Sequence, residues 1–184
     1  MDEAEERDLL REVAEHPESG ARRLVDAFGD HLYATAFRMC GNETDAEDLV
    51  ARTLAKAVEK AGDFVGESSL FTWMCAIMAN FFRKSLRKKG ANALVFPEEM
   101  PETADMGPTP AEALERADAA RAVRAAVAAL PDRQRAAVVM FYFERMSAPA
   151  IAESLGEPDG TVYYWLHEAK KSLRRLLCGA NLGM

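Results

Sequence analysis

Two clusters of cationic side chains carry the chemistry this chain can offer. Arg83, Lys84, Arg87, Lys88 and Lys89 form one; Lys170, Lys171, Arg174 and Arg175 form the other. Cations gathered on one side of a helix attract phosphate oxygens. The second cluster closes the segment Leu155 to Leu177, LGEPDGTVYYWLHEAKKSLRRLL. That segment reads as a helix end, a tight turn, and a second helix that starts apolar and finishes basic. With the upstream SAPAIAESL (Ser147 to Leu155) it has the pattern of a helix-turn-helix, which sets one helix against a DNA groove. An ordinary helical hairpin in a protein-binding module fits the same residues. For the first cluster, a solvated, dipole-favoured helix end is the competing reading.

No catalytic constellation competes with these clusters. There is no Ser/His/Asp grouping, no metal-ligand spacing and no Gly-rich phosphate loop, so catalytic residues, metals and cofactors are not expected. His31 and His167 are isolated and read as surface or packing residues. Cys40, Cys75 and Cys178 are widely spaced and odd in number, which indicates neither disulfides nor zinc but thiols in a reducing compartment. The formal charge of -7 hides strong asymmetry: acid concentrates at the N-terminus, around Glu43 to Asp48, and between Glu98 and Asp118. An acidic molecule with two basic patches should bind DNA weakly alone and better when a partner holds it there. The N-terminus is acidic and the apolar runs fall short of the ~20 residues that cross a bilayer, so a cytoplasmic protein without membrane insertion is expected. The acidic N-terminal dozen residues suggest only solubility or self-masking of the basic patches.

The elements that must hold these clusters read as helices almost throughout, giving an all-α fold. Ser19 can cap a helix to about Met39, which Gly41-Asn42 breaks. Thr44 starts the next, with Glu47 in capping-box register; Ala46, Leu49, Val50, Leu54 and Val58 face inward. Gly62 and Gly66 interrupt it. Ser68 or Ser69 opens a third helix whose stripe Leu70, Trp73, Met74, Ile77, Phe81 runs into the first basic cluster. Residues 91–110 mix Pro97, Pro101, Pro108 and Pro110 with Glu98, Glu99, Glu102 and Asp105, an acidic flexible linker. It separates a helical domain, 1–90, from a helix-turn-helix domain, 111–184. The latter starts with an Ala-rich helix from about Ala111 to Ala129. Leu130-Pro131-Asp132 then breaks the chain, and Asp132 can cap a helix that includes Val138 to Phe143.

Within the helix-turn-helix, Ala152 is small enough for the crossing and Gly156 suits the sharp turn. Thr161 can start the second helix. Val162, Leu166, Ala169, Leu173 and Leu176 or Leu177 form its buried stripe. Tyr163, Tyr164, His167, Lys170, Lys171 and Arg174 are left for the exposed face.

Two separated stretches, Gly41 to Lys89 and Ala129 to Leu177, together resemble the two domains of bacterial sigma factors of the extracytoplasmic-function (ECF) group. The strings DAEDLV, GESS-x-x-TW and LP-x-R…GTV, in this order around an acidic linker, carry the resemblance. It implies a transcription initiation factor without catalytic activity, which binds core RNA polymerase and confers promoter choice. It assigns core docking to Asp45, Glu47, Asp48, Leu49, Val50 and Thr53. The minus-ten element would fall to Phe64, Ser68, Asn80, Arg83, Lys84, Arg87, Lys88 and Lys89. The minus-thirty-five element would fall to Thr161, Tyr163, Tyr164, His167, Lys170, Lys171 and Arg174. An anti-sigma regulator, wedged between the domains, is a further implied partner.

Several positions depart from the family pattern. Tyr163, Tyr164 and Trp165 stand where polar or basic residues are usual, and aromatics cannot make the bidentate Arg-to-guanine contact. Pro149 replaces a usual Glu, and Glu157 a usual apolar residue. Arg52 replaces a usual Glu, and Lys84 a usual acid. The aromatic cluster suits an unusual promoter element or a protein interface. It leaves open a sigma-like decoy that binds an anti-sigma regulator. A helix-turn-helix repressor would have no need of the DAEDLV docking helix.

Overall fold

The acidic N-terminal segment folds into a helix, α1 (Glu3–Glu15). Leu9, Leu10 and Val13 lie on one face and are buried. This computed structural model describes the backbone of residues 3–89 and 110–180, with side chains within 4–86 and 119–178. All regular structure among the described residues is helical. Helix α2 (Pro17–Cys40) crosses α1 at Gly20, where a Cβ would collide with the Val13 backbone. Arg23 on α2 pairs with Glu12 on α1, and this pairing holds the Glu12 carboxyl below its ordinary pKa.

The helix ends show which local chemistry decided each boundary. Helix α2 starts at Pro17 rather than at a Ser19 cap, because proline has no N–H to satisfy in a first turn. The Ser19 hydroxyl donates instead to the His16 carbonyl at 3.2 Å. Gly41 ends α2 at φ 75, a left-handed conformation that costs glycine little. Asn42, not Thr44, caps α3 (Glu43–Glu59): its side-chain oxygen accepts from Asp45 N at 2.9 Å. A short 3-10 turn (Ala61–Asp63) and a loop lead to α4 (Leu70–Lys89). There Ser69 Oγ accepts from Thr72 N at 3.1 Å, and the buried Glu6 carboxylate accepts from Leu70 N at 2.9 Å. The first turn of α4 is thus capped from its own sequence and from α1, 64 residues away.

The buried stripe of α4 is Leu70, Met74, Met78 and Phe82. Trp73, Ile77 and Phe81, expected in the core, are half-buried on its flank. The four-residue repeat outcompetes the mixed three-and-four spacing because α2 and α3 both pack on that line.

The second lobe contains α5 (Pro110–Ala128), α6 (Asp132–Val138), α7 (Ala148–Leu155) and α8 (Asp159–Ala180). Helix α6 widens into a π-helical turn over Val139–Phe143. Asp132 is not the cap of α6; it is the first helical residue, and its carboxylate accepts from Arg135 at 2.6 Å. Ser147 caps α7, with Pro149 in its first turn, and Gly156 ends it at φ 60. Helix α8 starts at Asp159, two residues before Thr161. Val162, Leu166 and Ala169 are buried and Ala152 sits at the crossing as expected, while Leu176 is exposed.

The two lobes are not independent bodies. One continuous apolar cluster runs through both, with α4 against α7 and α2 against α6 and the π-helical turn. Of the expected linker 91–110, Pro110 begins α5 and the rest lies outside the described residues. Cys40 and Cys75 are buried and Cys178 is exposed. Burial pushes the Cys75 thiol far above its ordinary range, with the Glu144 carboxylate adding to the effect. Among the described residues no helix is long and apolar enough to cross a membrane, and no His/Cys/Asp/Glu group could hold a metal.

Replacing Glu6 by Ala removes the acceptor from a buried N–H. The expected loss is about 1–3 kcal/mol of unfolding free energy, measured by urea denaturation. A loss below the error of that measurement would mean that Leu70 N finds water instead.

Candidate nucleic-acid interface

Three solvent-facing surfaces carry the residues singled out by sequence. The first is the start of α3. Glu47 and Asp48 are exposed and Asp45 is half-buried. Asp48 pairs with Arg52 one turn later at 3.2 Å, an exposed contact that contributes little to stability. Leu49 and Thr53 are not part of this surface. Both are buried, and the Thr53 hydroxyl donates to the Leu49 carbonyl at 2.7 Å. They lie on the α3 line with Ala46 and Ala57, which faces the core. Val50 is half-buried against that core.

The second surface is a groove between α3 and α4 of about 560 Å³. Arg52 and Lys56 line it from α3 and Lys60 from just past its end; Asn80, Phe81 and Lys84 line it from α4. The Arg52 guanidinium lies 4.5 Å from the centre of the Phe81 ring, and Lys84 Nζ lies 5.8 Å from it. A ring that holds two cations fixes them at the groove. Lys56 and Lys60 pair with Glu59 and Asp63 at 2.5 and 2.8 Å. The Asp63 partner raises the Lys60 pKa, which keeps that cation charged. Lys56 and Lys60 went unnoticed in sequence, although their spacing of four after Arg52 is a helical-face signal.

Asn80 lies at the floor: its amide donates to Ala76 O at 3.2 Å, and its carbonyl accepts from Arg83 Nη2 at 3.2 Å. Phe64 packs edge-on against Trp73 with ring centres 5.4 Å apart, so the two are one aromatic unit at the loop before α4. Ser68 in that loop is exposed. Arg87, Lys88 and Lys89 belong to α4, but their side chains lie outside those described.

The third surface is the outward face of α8. Tyr163, Tyr164, His167, Lys170, Lys171 and Arg174 are all exposed, and Thr161 is half-buried. Trp165 turns the other way and is 9% exposed. The Arg133 guanidinium lies 5.7 Å from the Trp165 ring centre and pairs with Glu157 at 3.2 Å. The aromatic triplet therefore splits into two surface tyrosines and one packed tryptophan. Glu157, unexpected at an apolar position, is the carboxylate that holds Arg133 in place.

Comparison with known proteins decides the family. The sigma-70 region 2 family model matches residues 24–92, and the sigma-70 region 4 model matches residues 120–173. The ECF RNA polymerase sigma factor EcfG of Rhodopseudomonas palustris is 30% identical over 146 residues, covering 79% of this chain and 78% of that protein. The chain belongs to the ECF family of RNA polymerase sigma factors. ECF sigma factor SigW of Bacillus subtilis is 26% identical over 179 residues, covering 91% of this chain and 94% of that protein. Among solved structures, sigma factor RpoE in complex with anti-sigma factor NepR from Bartonella quintana has a TM-score of 0.63 at 23% identity, covering 85% of this chain and 95% of that one. CnrH in complex with the cytosolic domain of CnrY has a TM-score of 0.59 at 24% identity, covering 95% and 97%. These structures share the fold; the region 2 match runs from within α2 through α4, and the region 4 match from within α5 into α8.

The split of the aromatic triplet has a measurable consequence. Trp165→Ala should cost about 3–5 kcal/mol of stability through lost packing. Tyr164→Ala should stay within about 0.5 kcal/mol of the parent. Chemical denaturation of both variants checks this, and equal costs would contradict the burial described.

Proposed function

We propose that this ECF factor docks on core RNA polymerase through Asp45, Glu47 and Asp48, and grips promoter DNA through the α3–α4 groove and the α8 face. The region 2 lobe, residues 1–90, then handles polymerase and the minus-ten element. The region 4 lobe, residues 111–184, handles the minus-thirty-five element, with 91–110 as the connection. The observation that carries this reading is the segregation of charge within one lobe. Carboxylates occupy the first turn and a half of α3, and cations begin one turn later at Arg52 and continue across the groove. Such a division lets one short helix serve a basic protein partner and a polyanion at once.

The groove suits an unstacked strand. Arg52, Lys56, Lys60 and Lys84 would track phosphates, Asn80 would offer its amide to a displaced base in the groove, and Phe64 would offer a ring from the loop before α4. Tyr163 and Tyr164 suit thymine methyl contacts at the start of α8, and Lys170, Lys171 and Arg174 suit phosphates. An anti-sigma regulator is a further partner, by analogy with the complexes of CnrH and RpoE. Action on the nucleoid-bound polymerase makes the cytoplasm the working compartment.

The discriminating experiment mixes the pure protein with core polymerase and fork-junction promoter DNA and measures initiation. Selected transcripts support the reading; core binding without initiation would make the chain a decoy; operator binding without polymerase would make it a repressor. Asp48→Arg should abolish core binding with the far-ultraviolet circular dichroism unchanged. Normal holoenzyme assembly by that variant overturns the docking assignment. The double variant Lys170→Ala/Lys171→Ala should weaken duplex binding across sequences. It should also flatten the salt dependence by about 0.9 in log–log slope for each phosphate that is no longer neutralised.

A further inference from the structure

The loop that carries Phe64 is anchored at both roots by the N-terminal helix. Val65 to Ser69 are all exposed, Val65 at 80%, and Gly66 turns the chain at φ 80. The residues that bound this stretch, Ala61 and Leu70, are buried. Helix α1 packs against the 3-10 turn that carries Ala61. It also secures the far root, where the Glu6 carboxylate accepts from Leu70 N at 2.9 Å. Glu6 is 9% exposed, so a polar side chain has been taken out of water to make that bond.

The bond sits where it governs the first turn of α4. Ser69 Oγ accepts from the Thr72 N–H of that turn at 3.1 Å. Glu6 takes the Leu70 N–H and places a carboxylate at the positive end of the helix dipole. Trp73, one turn on, holds the Phe64 ring edge-on with 5.4 Å between ring centres. Farther along the same helix, Asn80 lines the groove. A carboxylate on α1 is therefore linked, through one backbone N–H and one turn of helix, to the ring and the amide offered to a displaced base.

We infer that α1 is a brace for the base-holding loop and that Glu6 is its positioning residue: the Glu6–Leu70 contact sets the angle at which Phe64 and Asn80 meet an unstacked base. The inference rests on the role given above to Phe64 and Asn80. Anchoring both ends lowers the freedom that an exposed loop loses when it closes on a base, and it fixes the placement of the ring relative to the amide. Helix α1 thus acts on DNA recognition through the loop and not by contact with DNA.

The test uses holoenzyme assembled from the full chain and core polymerase. Fluorescence anisotropy measures its affinity for fork-junction DNA whose single-stranded minus-ten segment carries one abasic site, moved position by position. In the parent, an abasic site at the held base should weaken binding about tenfold relative to the intact strand. Glu6→Ala, which removes the acceptor, should cut that penalty to about threefold or less, because the intact strand binds less well. Glu6→Gln retains an acceptor oxygen of the same reach and should keep the parent's penalty. Glu6→Asp, one methylene short of Leu70 N, should lose the penalty as Glu6→Ala does, and it carries the test if Glu6→Ala does not fold. Ala36→Gly, at a buried position inside α2, lowers stability without touching the loop or α1 and should keep the penalty. Circular dichroism checks that each variant is folded at the assay temperature. An undiminished penalty in Glu6→Ala and Glu6→Asp, or an equal loss in Ala36→Gly, overturns the brace. A parent that shows no penalty at any position instead overturns the base-holding role of the loop, and the brace with it.

Discussion

Three helix ends and both lobes converge on the guanidinium of Arg135. Its Nε donates to the Met39 carbonyl at the end of α2 at 2.8 Å. Its Nη1 donates to Ala128 O and Leu130 O after α5 at 3.1 and 3.2 Å, and its Nη2 to the Asp132 carboxylate that begins α6. The residue is 1% exposed. Burial lowers its pKa, and the Asp132 carboxylate works against that shift, so the cation persists inside the protein. A buried charge is costly unless its hydrogen bonds are met, and here carbonyls orphaned at helix ends meet them. The planar fork reaches several acceptors at once, which an ammonium cannot do. This one side chain ties the end of α2 to the end of α5 and the start of α6.

That arrangement explains how an acidic protein can work on a polyanion. Net charge of -7 opposes loose association with DNA. The cations that would overcome it are divided between a groove on one lobe and a helix face on the other. Each patch alone is a weak ligand for phosphate. Held in register by a large partner, they act together, because linked sites gain effective concentration that isolated ones lack.

The helices, the two-lobe organisation and the helix-turn-helix were legible in sequence because apolar periodicity and turn residues are local signals. Gly41, Gly156 and the exposed face of α8 followed from such signals directly. Boundaries were less legible where two local rules competed: Pro17 against Ser19, Asn42 against Thr44, Pro131 against Asp132. In each case the residue nearer the N-terminus ended up opening the helix, at the N-cap or the first helical position. The role of the N-terminus was illegible for a different reason. Glu6 acts across 64 residues on Leu70, and no local pattern encodes that pairing. The same holds for Glu144 on α2 and Arg135 on Met39. Leu49 and Thr53 were misplaced because a docking string was carried over whole, although alternate helical faces of one string must serve core and surface.

The departures from the family pattern look unrelated in one dimension and form a system in three. Glu157 pairs with Arg133, Arg133 covers Trp165, and Trp165 shares a cavity lining with Phe82 and Leu86 of the other lobe. A carboxylate at an apolar site and an indole at a polar one would each be anomalous alone. Together they satisfy one another's charge and area, and they do so at the seam between lobes. Arg52 and Lys84 form a second such pair around Phe81, on the flank of the buried stripe of α4. Glu157 and Trp165 thus fall at the seam and Arg52 and Lys84 at the groove, while Tyr163 and Tyr164 face outward on α8 and Pro149 sits in the first turn of α7.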